Sequence, residues 1–318
     1  MKNVLTEWET LLARHRQALL IHGYSPRTLA TIATYGRRWG EFAQETKLTT
    51  PQAVTAAAVS SFQAWLWHAP TIKQATRSIA GQNNVLSYIK TFFLWLQAEG
   101  VIGRNPTAAL RLAKQPDPLP KDVLTPKEAA RILDAPNLRT AFGRRDRAIL
   151  EVMYATGLRR AELRALDVAD ADLETGVLTV RRGKGGKGRV VPLTRTAGRC
   201  LEAYLRISRP SLLAGHASPR LFVSSALYPG LDMGLGEHAL GNLVKRYAVA
   251  AGIKKKVTPH LWRHTCATHL LRNNANLRHV QELLGHRSLA TTERYLRLTI
   301  TDLKEAHRRH HPREKNHR

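Results

Sequence analysis

The sequence predicts a mainly α protein in two parts, the second of them α+β through one small β-sheet or hairpin. Apolar residues recur at helical spacing through the first hundred positions, with no alternating run among them. Pro116, Pro118 and Pro120 stand at every second position, and proline can neither continue a helix nor leave its predecessor comfortable in one. Beyond them, two short β-branched runs flank a single glycine-rich turn.

Leu5, Trp8, Leu12 and Leu19 mark one face of a first helix, which stops at Gly23. Ser25-Pro26 has the form of an N-cap followed by proline at the first helical position, and Ile32, Tyr35, Trp39 and Phe42 are the apolar stripe of the helix it opens. Val85, Ile89, Phe92, Phe93 and Leu96 make a further stripe that ends at Gly100. Together these predict a compact all-α domain over residues 1–112, followed by a proline-rich linker, 113–124. Thr125-Pro126-Lys127-Glu128 then reads as a capping box, with Glu128 reaching back to the Thr125 amide. It opens a second domain over 125–300.

In that domain, helical patterns run over 149–154 and 158–166, with Leu158, Ala161, Ala165 and Leu166 as the buried face of the second. Residues 177–180 and 190–193 read as strands joined through RRGKGGKGR. Helices resume after about Thr194, and one of them, with Leu277, Val280 and Leu284 on its face, is ended by Gly285. Residues 301–318 are a basic tail without apolar periodicity, expected to be mobile unless a partner orders it.

The charge narrows the partners. Across 318 residues, 50 Lys+Arg stand against 24 Asp+Glu, a net +26. Up to Leu112 the balance is 12 to 5, so both domains are basic and the charge is not a tail effect. A field of this sign favours a polyanion, whose neutralised charges release counterions. Two cysteines, Cys200 and Cys266, are too few for a disulfide framework or a four-cysteine zinc site. The first twelve residues lack a signal-peptide pattern, and no run reaches membrane-spanning length. The expectation is a cytoplasmic, nucleoid-associated protein with no membrane contact.

Four segments of the second domain carry candidate chemistry. ATGLRRAEL puts Arg159 just after Gly157, at the start of a helix that holds it rigidly, with Glu162 three residues on. The hairpin offers Arg181, Arg182, Lys184, Lys187 and Arg189. It is not a Walker loop, because Gly188 is followed by Arg189 and not by Lys-Ser/Thr, and strands lie on both sides. In TPHLWRHTCATHLL, Thr258 and Pro259 open a helix on which His260 and Arg263 are i, i+3 neighbours. Trp262, Cys266 and Leu270 form its buried stripe. Its histidines raise zinc as a rival, but there is no HExxH, no cysteine pair and no carboxylate in the segment, so no metal site is expected. In LLGHRSLATTERYLRL, His286 follows the helix-ending Gly285, and Ser288 can cap the helix that carries Tyr295.

Together these segments resemble the tyrosine recombinase (phage integrase) family, whose signature is Arg, Lys, His-x-x-Arg, His and Tyr in that order. Arg159, Lys184, His260, Arg263, His286 and Tyr295 match it one by one, with 26 residues from His260 to His286 and nine more to Tyr295. Trp262 departs from it, standing where a smaller apolar residue is commoner. The resemblance implies a SAM-like N-terminal bundle that binds the core DNA site and a recombinase catalytic domain. It implies double-stranded DNA as partner, a homo-tetramer on paired sites, and strand exchange through a 3′-phosphotyrosine and a Holliday junction, with no cofactor, metal or ATP. Tyr295 would be the nucleophile, His260 the base, Lys184 the general acid, and Arg159, Arg263 and His286 the donors to the phosphate. Glu162 is either a carboxylate that organises the site or a helix-surface charge. Arg77 and Lys90 of the first domain, with the hairpin's Arg181, Arg182, Lys187 and Arg189, are candidate DNA contacts. Two alternatives remain: a type IB topoisomerase-like enzyme acting on one duplex, and a non-catalytic DNA-binding regulator on the same scaffold.

Overall fold

The computed structural model describes residues 6–69, 78–114, 123–181, 188–224 and 233–285. The chain divides into two compact units, Met1–Pro118 and Leu119–Arg318. The first holds helices α1 (Glu7–Ile21), α2 (Pro26–Glu45), α3 (Ala56–His68) and α4 (Ile79–Ala98), with one 3₁₀ turn at Pro51–Ala53. Each helix opens on a hydroxyl that accepts a backbone amide three residues on: Thr6, Ser25, Thr55 and Ser78, so a donor that the first turn orphans is satisfied. The core between them is aromatic. Trp39, Phe62, Phe92 and Phe93 are fully buried, and Trp39 meets Phe93 and Phe62 edge-on at 5.0 and 5.1 Å between centroids.

The buried row of α1 is Trp8, Leu11 and His15, with Leu12 only partly covered. Of the expected face, Trp8 is buried and Leu12 and Leu19 are partly covered, while Leu5 lies outside the described residues. α3 had no sequence forecast: AAAVSSFQAWLWH is apolar nearly all round and shows little periodicity.

The linker's flanks belong to the units. Asn83 brackets the backbone of Ala113, donating to its carbonyl at 2.8 Å and accepting its amide at 3.1 Å. Leu124 is fully buried; its amide donates to the Thr265 hydroxyl at 3.2 Å, and its carbonyl lies 2.7 Å from His269 Nε2.

The second unit runs α5 (Pro126–Asp134), α6 (Ala141–Thr156), α7 (Arg160–Arg164), a 3₁₀ turn at Val168–Asp170, β1 (Ala171–Asp172), β2 (Val177–Val180), β3 (Arg189–Pro192), α8 (Arg195–Ala203), a π-helical turn at Tyr204–Ser208, α9 (Arg209–Leu213), α10 (Ala239–Ala250), α11 (Pro259–Arg272) and α12 (Leu277–Leu284). The Thr125–Glu128 capping box forms as read. The sheet is antiparallel in the order β1-β2-β3. Val180 pairs with Arg189, so β3 starts one residue earlier than forecast, and β1 adds a third strand. α6 is the central element: Ala148, Ile149, Leu150 and Val152 are fully buried. Trp262 of α11 packs against it, with its indole donating to the Leu150 carbonyl at 3.2 Å. A larger ring at that position therefore serves packing.

The expected face of α7 is corrected. Ala161 and Ala165 are exposed, while Glu162 and Leu163 are buried beside Leu158 and Leu166. Arg159 caps this helix instead of sitting in its first turn, and that offset rotates the inward side by one position. Among the described residues, no helix is long and apolar enough to cross a membrane. The basic tail, 301–318, lies outside the described residues.

Candidate active site

The α6–α7 junction sets the first cation. Gly157 ends α6 with φ +58°, and a Cβ there would meet Leu284 Cδ2 at 2.6 Å, so only glycine lets the chain turn against α12. Two residues later Arg159 caps α7, and its carboxylate partner is Glu162. The Arg159 amide donates to Glu162 Oε2 at 2.8 Å, and Nη1 donates to Oε1 at 2.7 Å.

Glu162 is 5 % exposed and accepts a second arginine. Arg189 of β3 donates through Nη1 to Oε1 at 3.1 Å and through Nη2 to Oε2 at 2.9 Å. Four donors thus meet two carboxylate oxygens, about the full acceptor capacity of the group. Burial works against ionisation, but the fork from Arg189 and the bonds from Arg159 outweigh it and hold the carboxyl at about 2. Glu162 is therefore a permanent anion that organises cations, not a surface charge and not a proton carrier near neutral pH.

The three arginines converge on the end of α12. Arg189 Nε donates to the Leu283 carbonyl at 3.0 Å, Arg263 Nη2 to Leu284 at 2.7 Å, and Arg159 Nη2 to Gly285 at 2.9 Å. These carbonyls belong to the last helical turn, which lacks intrahelical partners and carries the negative end of the helix dipole. Arg263 is 5 % exposed and also donates to the Gly157 carbonyl at 2.6 Å. It thus holds the α6 terminus and the α12 terminus together. Arg159 keeps 28 % of its side chain exposed, the opening through which an anion can reach it.

The structure brings Arg159, Glu162 and Arg263 together around residues 283–285, immediately before His286. His260 lies in the first turn of α11, exposed, one turn ahead of Arg263. Lys184, His286 and Tyr295 lie outside the described residues, as do Arg77, Arg182 and Lys187. Arg181, more than half exposed, pairs with Asp170. Lys90 donates to the Leu110 carbonyl at 3.1 Å and is partly buried.

Arg189, expected as a DNA contact, turns inward. Its side chain is 13 % exposed, and its bonds run inward to Glu162 and Leu283. The signal was present in the strand: Arg189 shares its face with the fully buried Val191, two residues on, and alternation along β3 aims it inward. Among the described residues, no group of three or more His, Cys, Asp or Glu side chains could hold a metal ion.

Residues 122–301 match the phage integrase family. The chain belongs to that family of tyrosine recombinases. It is 37% identical to a tyrosine recombinase XerC 2 of Ralstonia nicotianae over 309 residues, 97% of this chain and 86% of that relative. It is 43% identical to a tyrosine recombinase XerD of Xanthomonas campestris pv. campestris over 236 residues, 72% of this chain and 71% of that one. Among solved structures, a XerH site-specific recombinase bound to its palindromic difH substrate, in a post-cleavage complex, shares the fold. The TM-score is 0.71 at 22% identity, covering 88% of this chain and 79% of that one. As a tyrosine recombinase, the protein is an enzyme of site-specific DNA recombination.

Proposed function

We propose that the protein breaks and rejoins double-stranded DNA through a covalent 3′-phosphotyrosine at Tyr295. Attack on a phosphodiester adds negative charge to its non-bridging oxygens, and guanidinium groups match that charge in planar, paired bonds at any working pH. Arg159 and Arg263 take that role, with His286 as a further donor. A phenol with pKa near 10 needs help to attack at neutral pH, and His260 is the base. The departing 5′-hydroxyl needs a proton, which Lys184 supplies. The phosphotyrosine keeps the energy of the broken phosphodiester, so rejoining requires no ATP, and the two guanidinium groups supply the charge that a metal would otherwise bring.

The observation that carries this reading is the convergence of Arg159 and Arg263 on consecutive carbonyls, Leu284 and Gly285. Two cations are thereby fixed beside the segment that leads into His286 and Tyr295. Residues 1–112 would bind the core site, and 125–300 would carry the chemistry. Arg77, Arg181, Arg182 and Lys187 are proposed phosphate contacts, supported by the net charge of +26. Four copies would act on two sites through a Holliday junction.

A nicked suicide duplex tests the chemistry. Wild type should become covalently attached and Tyr295→Phe should not; an adduct that survives this substitution, or none from wild type, defeats the assignment. Strand exchange between two differently labelled duplexes separates recombination from resealing of one duplex. Joint products are expected, and resealing alone would favour the topoisomerase-like alternative.

A further inference from the structure

We propose that Arg189 is a positioning residue for DNA cleavage, acting by preventing Glu162 from capturing Arg159. The inference rests on the tyrosine recombinase reading above and extends it to a side chain outside the family signature. Arg159 has two possible anionic partners, the Glu162 carboxylate and a DNA phosphate. A carboxylate beside a lone arginine closes a two-pronged fork with it. Here that fork belongs to Arg189, which occupies one site on each Glu162 oxygen at 3.1 and 2.9 Å. The Arg159 side chain is left with a single bond to Glu162, and its other terminal nitrogen turns to the Gly285 carbonyl at 2.9 Å.

The same guanidinium reaches a second target. Arg189 Nε holds the Leu283 carbonyl at 3.0 Å, so one planar group links β3, α7 and the C-terminus of α12. In sequence, β3 follows the segment that contains Lys184, and α12 precedes His286. Arg189 is therefore the first described cation to follow the proposed acid in sequence and is also bonded to the segment preceding the proposed phosphate donor. Space around it is tight: a Cβ on Gly285 would lie 3.0 Å from Arg189 Nη1 and 3.1 Å from Cζ. Gly285 itself, with φ +63°, closes the C-terminus of α12.

A lysine at this position would keep the charge but could not span both Glu162 oxygens and Leu283. Glu162 would then complete its fork with Arg159 and turn it from the phosphate. A displacement of about 1 Å in a positioning contact costs up to about 10²-fold in rate.

The test is Arg189→Lys in the full chain, with adduct formation on the nicked duplex measured at saturating DNA and affinity measured separately. The expected result is a cleavage rate about 30- to 100-fold below wild type, with Kd within about threefold. A substrate carrying sulfur in place of the bridging 5′ oxygen, which leaves without an acid, should not restore the rate. Rescue by sulfur would make Arg189 a partner of Lys184 and overturn the proposal. So would a rate within threefold of wild type, or a loss confined to Kd, which would return Arg189 to DNA contact. Loss of the cooperative thermal transition in Arg189→Lys would overturn it too, in favour of a purely structural role. Absence of adduct from wild type would instead sink the enzyme reading, and this inference with it.

Discussion

The two compact units are held together by opposite means. In the first, the interior is a set of interlocking rings, Trp8, Trp39, Phe42, Phe62, Phe92 and Phe93, and its buried histidine, His15, is kept neutral among Tyr88, Phe92 and Trp95. In the second, an aliphatic core around α6 coexists with buried ions: Glu162, Arg263, Asp146, Arg145 and Glu151. Rings need shape but no partner, whereas a buried charge is costly unless its bonds are complete. The ions of the second unit are accordingly paired. Asp146 takes two bonds from Arg145, one from the Tyr247 hydroxyl at 2.8 Å, and another from Arg246, tying α6 to α10. The Glu162 web ties α7, β3 and α12 and leaves one of its arginines open to solvent. Each web leaves one arginine reachable by solvent, Arg246 with 61 % and Arg159 with 28 % of its side chain exposed, but only the Glu162 web includes a guanidinium proposed to meet the phosphate.

The strongest way to break this comparison is to remove the anion from each web. Glu162→Ala leaves Arg159 and Arg189 facing each other without a counter-charge. Cleavage at saturating DNA should fall by about 10²-fold or more, with a stability loss of about 3–5 kcal/mol by denaturant unfolding. Asp146→Asn should lower stability measurably and leave the cleavage rate within about threefold, because its bonds run to Arg145, Arg246 and Tyr247 and share no partner with the Glu162 web. If Asp146→Asn slowed cleavage as much as Glu162→Ala, the distinction between the two webs would be lost.

Trp39→Ala probes the other unit. A fully buried indole ringed by Phe42, Phe62 and Phe93 should cost about 3–5 kcal/mol when truncated. Five of the six tryptophans, Trp8, Trp39, Trp65, Trp67 and Trp95, lie before the linker, so fluorescence reports this unit's melting. Below the lowered transition, the cleavage rate with DNA saturating should match wild type. A slower chemical step under those conditions would mean that the aromatic unit shapes the site as well as binding.

The same contrast governs what the sequence revealed. Stripes such as 85, 89, 92, 93 and 96 are visible because apolar burial leaves a periodic trace, and the Thr125–Glu128 cap is local enough to read in four residues. Motif spacing singled out Arg159 and Arg263, which the structure places at the end of α12. The role of Glu162 stayed open between surface and site because its partner Arg189 stands 27 residues away, and pairing over that distance is a property of the tertiary fold. Arg189 was read as one more basic residue of a basic hairpin, although Val191 two positions on already marked its face as inward. α3 escaped notice because much of its exposed side is alanine and Trp67, so its buried row, Val59, Phe62 and Leu66, stands out little in the sequence.

The finest separation of the two units comes from acid. Burial lowers His15 from 6.5 to about 4, so between these values the unfolded chain binds a proton that the folded first unit refuses, and stability declines as pH falls from about 6.5 to 4. Glu162, held at about 2 against an ordinary 4.5, begins to cost stability only below about 4.5, as the unfolded carboxyl protonates while the folded one stays charged. At about 1.4 kcal/mol per unit, the His15 effect has a ceiling of about 3 kcal/mol. Burial also lowers His269 in the second unit, so circular dichroism would blend the two histidines, whereas tryptophan fluorescence is weighted toward the first unit. His15→Gln should flatten the fluorescence-detected Tm between pH 6.5 and 4, while Glu162→Gln should leave that slope in place and lessen the loss below pH 4.5 that circular dichroism detects for the whole chain. Should His15→Gln leave the upper slope unchanged, the neutral imidazole would not be what sensitises the aromatic unit to acid, and burial of His269 would become the cause to test.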